Sequence, residues 1–87
     1  MFIINKVNNI IVTVRMKNEN KQADFDLPLD ESLQSIMSVV YPSMLQMSSV
    51  EEEIITYKHF YINGKMLDKD STLRENAIWD GNILEIN

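Results

Sequence analysis

Residues 10–16 alternate in face: Ile10, Val12, Val14 and Met16 fall on one side and Ile11, Thr13 and Arg15 on the other, in a segment rich in β-branched side chains. That pattern predicts a first strand with its apolar side turned inward. The polar run KNENK at 17–21 reads as a hairpin connection. Residues 22–27 alternate again, with Ala23, Phe25 and Leu27 inward and Asp24 and Asp26 outward. Pro28 has no N–H to donate and is expected to stop that second strand.

The period then changes. Leu33, Ile36, Met37, Val40 and Tyr41 recur at three- and four-residue spacing and predict one apolar helical stripe. Asp30 or Ser32 can accept bonds from the first helical amides, and Asp30 and Glu31 suit the positive end of the helix dipole. Pro42 disfavours helical geometry in the residue before it, which sets the expected boundary near Tyr41. Residues 42–58 read either as a short second helix or as a lengthened loop. In that stretch Met44, Leu45 and Met47 either cap the open end of the core or form an adaptable methionine-bearing binding surface.

In the last third, residues 59–62 carry β-forming side chains and run into Asn63-Gly64, the dipeptide of a tight hairpin turn. Residues 65–67 give a short return strand, and 72–76 fit one helical turn. Asp80-Gly81 signals a second turn before a final strand at 82–87, with Leu84 and Ile86 on one face and Ile83, Glu85 and Asn87 on the other.

Strand, turn, stub strand, a turn with a buried leucine and a closing strand form an order that resembles the C-terminal half of ubiquitin. The preceding hairpin and helix extend the resemblance over nearly the whole chain. It implies an α+β, ubiquitin-like β-grasp: a mixed four- to five-stranded sheet packed on one main helix, as a single domain over 1–87. In that alignment 1–9 is an extra N-terminal segment and 42–58 an insertion between helix and third strand. The resemblance assigns Phe25, Leu27, Leu33, Ile36, Val40, Phe60, Leu67, Leu73, Ile78, Leu84 and Ile86 to the core. The ending Ile78, Asp80, Gly81, Leu84, Ile86 is similar to that of the YukD/EsaB-type ubiquitin-like proteins of Gram-positive type VII secretion. That family implies a cytoplasmic accessory or regulatory protein.

Composition narrows the chemistry. The 87 residues carry 13 acidic and 8 basic side chains, a net charge of −5, so nucleic acid and anionic membrane are repelled on average. With no cysteine, this sequence has no thiolate chemistry and no Cys-type zinc site. There is one histidine, no glycine-rich phosphate loop and no metal-ligand spacing, so no catalytic, cofactor or metal residue is assigned. His59 points away from the core, and Glu51, Glu52 and Glu53 read as a solvated charge run. The apolar run at 2–4 is too short for a secretory or membrane-spanning segment, and the chain reads as cytosolic.

Ubiquitin acts through a tail ending in Gly-Gly, whereas this sequence stops at Asn87 within its last strand, which disfavours conjugation. The alternative is a ubiquitin-like modifier or sulfur carrier whose tail lies outside this sequence. The apolar patch by which ubiquitin is recognised is not kept: Tyr61, Glu85 and Asn87 stand at its positions. A protein partner is nevertheless expected. If the first and last strands are neighbours, the candidates on the open sheet face are Ile11, Arg15, His59, Tyr61, Ile83 and Glu85, with Thr13 among them. Trp79, beside Asp80-Gly81, is a further anchor candidate. An exposed edge strand would also offer pairing to a second copy.

Overall fold

A computed structural model describes residues 8–47 and 50–87. Residues 1–7 of the expected N-terminal extension lie outside the described residues. Five strands form one mixed sheet: β1 (Asn9–Met16), β2 (Lys21–Pro28), β3 (Phe60–Ile62), β4 (Lys65–Met66) and β5 (Ile83–Ile86), in the order β2-β1-β5-β3-β4. The long helix α1 (Leu33–Met44) covers one face, and a short helix α2 (Glu52–Thr56) follows it. This is the α+β plan that the resemblance implies, with five strands.

Alternation in β1 is carried through without exception: Ile10, Val12, Val14 and Met16 are buried and Ile11 and Arg15 exposed. β1 pairs antiparallel with β2 and parallel with β5, so it sits inside the sheet with its apolar row against α1. Leu27, Phe60, Leu84 and Ile86 continue that row, and Leu33, Ile36, Met37 and Val40 meet it from the helix. Each such side chain contributes about 1.5–3 kcal/mol when fully buried. Leu29, Leu67, Leu73 and Ile78 belong to the same core.

Two expectations for β2 need correction. Pro28 does not end the ladder: it pairs with Asn9, and the next amide, Leu29 N–H, donates to the Asn8 carbonyl at 2.8 Å. β2 is an edge strand, so a residue without an N–H is tolerated there when its donor side would face away from the neighbour. Ala23, expected inward, is exposed, and Phe25 is only half-buried. Both lie on the helix side by alternation, but α1 leaves the Ala23 end of the strand uncovered.

Ser32 caps α1, its Oγ accepting from the Ser35 amide at 3.2 Å. The two preceding amides are satisfied from far along the chain: Leu33 N–H donates to the Ser71 carbonyl (2.8 Å) and Gln34 N–H to that of Lys69 (2.9 Å). Asp30 is not the cap. Its carboxylate takes both the Nε (2.7 Å) and an Nη (3.1 Å) of Arg74, a hydrogen bond that raises the guanidinium above its ordinary pKa. The turn that begins at Thr72 is thereby tied to the helix start. Within it Asn76 N–H donates to the Thr72 carbonyl at 3.2 Å, and Ala77 adopts a left-handed conformation with φ 56°.

The helix does not stop at Tyr41. Pro42 lies inside α1, which runs on to Met44, and Pro42 is itself buried. The proline removes the bond to Ser38, but the burial of Tyr41, Pro42 and Met44 favours one more turn. A closed C-terminus follows: Gln46 takes φ 57°, its N–H reaches the Ser43 carbonyl (3.1 Å), and Met47 N–H reaches that of Pro42 (2.9 Å).

Of the two readings of 42–58, the short helix is the one formed. α2 places Glu52 and Glu53 in its first turn, where they favour the helix dipole, and buries Ile55. Met44 is buried and Leu45 packs on the core, whereas Met47 is 54% exposed. After α2, the Lys58 ammonium stands 5.5 Å from the centre of the Tyr41 ring.

Candidate protein-interaction surface

The face of the sheet opposite α1 is built by register. Arg15 pairs with Gln22 on β2 and with Glu85 on β5, Glu85 with Tyr61 on β3, and Tyr61 with Met66 on β4. One row, Gln22-Arg15-Glu85-Tyr61-Met66, thus crosses all five strands. A second row sets Asp24 against Thr13 and Thr13 against Ile83.

The rows differ in character. In the first, an Arg15 Nη lies 3.1 Å from a Glu85 carboxylate oxygen, both side chains partly solvated. Exposed pairs of this kind contribute roughly 0.2–1 kcal/mol, so this one orders the two long side chains more than it stabilises the fold. In the second, the Thr13 hydroxyl donates to Asp24 Oδ1 at 2.7 Å. Beyond it stand Ile11 and Ile83, 49% and 47% exposed.

Trp79, 50% exposed, enters through its turn. Asp80 Oδ1 accepts from the Ile11 amide at 2.7 Å and Gly81 N–H donates to the Ile11 carbonyl at 3.2 Å, which fastens residues 79–81 beside the start of β1. The Trp79 amide in turn donates to Asn82 Oδ1 at 2.7 Å. Gly81 holds φ 86°, a conformation that disfavours any other residue there.

The candidates therefore separate into two groups. Ile11, Ile83 and the Trp79 turn gather at one end of the sheet, with Arg15, Glu85 and Tyr61 in the adjoining row. His59 lies at the opposite end, half-buried and held by mutual backbone bonds to Asn87 of 3.1 Å each. Among the described residues no serine or carboxylate is hydrogen-bonded to its side chain. Nor do the described residues contain a group of three His, Asp or Glu side chains able to hold a metal, or a helix long and apolar enough to cross a membrane.

Met66 and Gln22 extend the charged row and had not been singled out from the sequence. The two-residue Asn63-Gly64 turn, with φ 51° and 80°, fixes Ile62 opposite Lys65 and hence Tyr61 opposite Met66, so the signal for Met66 was present in the turn itself. Asp80 was legible only as a turn residue. Its bond to Ile11 spans 69 positions of chain.

No family model matches the chain, and no curated protein matches it. Solved structures do share its fold. A chain described in terms of molecular mimicry of SUMO promoting DNA repair superposes with a TM-score of 0.73 at 13% identity, covering 95% of each chain. The ubiquitin-like domain of Plasmodium falciparum Dsk2 gives 0.70 at 14% identity over 90% of this chain and 95% of its own. Ubiquitin of Caldiarchaeum subterraneum gives 0.70 at 10% identity over 90% of both. The fold is ubiquitin-like, and at such identities these likenesses speak to the fold alone.

Proposed function

We propose that this chain is a non-enzymatic protein-interaction module that docks through the open face of its sheet. The observation that carries the reading is the placing of Ile11, Ile83 and Trp79, each about half exposed, at one end of the sheet, where Asp80 and Gly81 fasten the Trp79 turn to Ile11 and the Arg15–Glu85 pair stands in the adjoining row. A rigid aromatic and aliphatic centre with a charged border is the composition of a binding hot spot. Tyr61 adds a second aromatic in the bordering row, and His59 closes the far end.

We further propose that the partner belongs to a Gram-positive type VII secretion machinery and that the module acts in the cytoplasm as an accessory or regulatory component. Support for this comes from the ending formed by Ile78, Asp80, Gly81, Leu84 and Ile86, which is similar to that of the YukD/EsaB-type proteins. The 1–87 stretch acts here as one domain, with 42–58 as an addition to the ubiquitin plan.

Affinity capture of the tagged protein from its native cells, analysed by mass spectrometry after native and after denaturing washes, tests both parts. Secretion-system components recovered only under native washing, and lost with Ile83→Ala or Tyr61→Ala while the fold is kept, are the expected result. Unchanged recovery with both variants overturns the docking face. Adducts that survive denaturation overturn the non-covalent reading.

A further inference from the structure

A second surface lies on the edge of the sheet rather than on its face. β2 is the outermost strand, and the Asn8–Leu29 bond fixes which of its residues bond inward. In an antiparallel pair bonded residues alternate, so Lys21, Ala23, Phe25 and Leu27 direct their backbone groups to β1. Gln22, Asp24 and Asp26 therefore direct theirs outward, offering three N–H donors and three carbonyls at the edge. Pro28 adds a carbonyl and no donor, which limits the open ladder to about six residues of partner.

The two sides of this edge are chemically unlike. On the helix side an open groove of about 580 Å³ runs between β2 and the C-terminal part of α1, floored by Ala23, Phe25 and Met44 with Ser43 and Gln46 along its wall. Ala23 is what opens it, because a small exposed residue stands where the alternation would admit a large one. Lys21, at the hairpin end, is the one cation lining it, and Asp24 on the edge strand is the one anion. On the other side stand Asp24 and Asp26, both exposed and without an ion pair among the described residues.

We propose that this edge binds an extended peptide segment that adds a sixth strand, with aliphatic side chains at alternate positions in the groove and basic side chains between them facing Asp24 and Asp26. Main-chain bonds to Gln22, Asp24 and Asp26 hold the segment, and the alternation of its side chains gives specificity. The charge of the edge selects a basic partner over an acidic one, in keeping with the net charge of −5. It also selects against a second copy of this chain. Antiparallel self-pairing centred on Asp24, Phe25 or Asp26 sets an aspartate directly opposite an aspartate in each register, which is destabilising.

The test is an NMR titration of the 15N-labelled full chain with two capped hexapeptides, one alternating valine and lysine and one alternating valine and glutamate. The expected result is shifts at residues 22–26 and 43–46, with the lysine peptide bound at least about tenfold more tightly at low salt. Ala23→Trp fills the groove from an exposed position and is expected to weaken binding at least about tenfold while the spectrum stays dispersed. The pair Asp24→Asn with Asp26→Asn, which keeps an acceptor for Thr13, is expected to abolish the preference between the peptides.

Absence of shifts up to millimolar lysine peptide overturns the proposal, as does equal binding of the two peptides to the unaltered protein. Shifts confined to Ile11, Tyr61 and Ile83 overturn it as well and leave the open-face reading standing. Failure at the edge and failure at the face are thus separately visible.

Discussion

Placing threonine at two adjacent positions of β5 tests the assignment on which the open face rests. Leu84 is fully buried and Ile83 is 47% exposed, although both are large aliphatic residues one step apart. Leu84→Thr removes buried carbon worth about 2–3 kcal/mol and leaves a hydroxyl in the core at a further 1–3, about 4 kcal/mol together. Ile83→Thr keeps the β-branch, so strand preference is retained, and loses about 1 kcal/mol or less of half-exposed surface. For a chain of this size the total stability is roughly 4–13 kcal/mol. Urea unfolding followed by far-ultraviolet circular dichroism separates the two outcomes. With a slope near 1–1.5 kcal/mol per molar, the Leu84 variant moves its midpoint down by about 3 M or fails to fold, and the Ile83 variant by less than about 1 M. Equal losses, or the larger loss at Ile83, would show that β5 is turned over and that its outward residues are not those of the proposed surface.

Ala77 holds φ 56° without the freedom of glycine, so Ala77→Gly is expected to stabilise by about 0.5–1 kcal/mol, read as a higher urea midpoint; a loss would show that the left-handed turn is wrong. Ser32→Ala deletes the side-chain cap of α1 and is expected to cost about 1 kcal/mol, with Ser32→Asp retaining most of it. A double-mutant cycle on Arg15 and Glu85 is expected to give a coupling of about 0.5 kcal/mol that fades in 1 M salt. Coupling above about 2 kcal/mol would mean that the pair is structural rather than a border to a binding surface.

The strands and the helix stripe were legible because each has a period longer than its exceptions. β1 buries four of its eight residues at strictly alternate positions, and α1 buries every member of the stripe from Leu33 to Tyr41. The Asn63-Gly64 hairpin was legible because few other dipeptides accept two positive φ angles in succession. What escaped was decided by contacts between distant segments. Alternation gives the side of the sheet on which Ala23 lies, but not how far along β2 the helix reaches. The amides of Leu33 and Gln34 find carbonyls at Ser71 and Lys69, and nothing near the helix start announces them. Pro42 carries a local preference against helix that the burial around it overrides. α2 has five residues and one buried side chain, too few to display a period.

Asp24 connects the two proposed surfaces. Its backbone faces outward at the edge, while its carboxylate accepts the Thr13 hydroxyl and so belongs to the row that leads to Ile83. The bond from Thr13 uses Oδ1 alone, and an ionised carboxylate accepts several donors, so a basic side chain arriving at the edge can take Oδ2 while the hydroxyl keeps its place. The two surfaces are therefore expected to bind independently. In an NMR titration, saturating one site is expected to leave the affinity of the other unchanged within about twofold, under about 0.4 kcal/mol. A loss of about tenfold would show that the hydroxyl is displaced after all, and Thr13→Val, which removes it from both states, would then erase the loss.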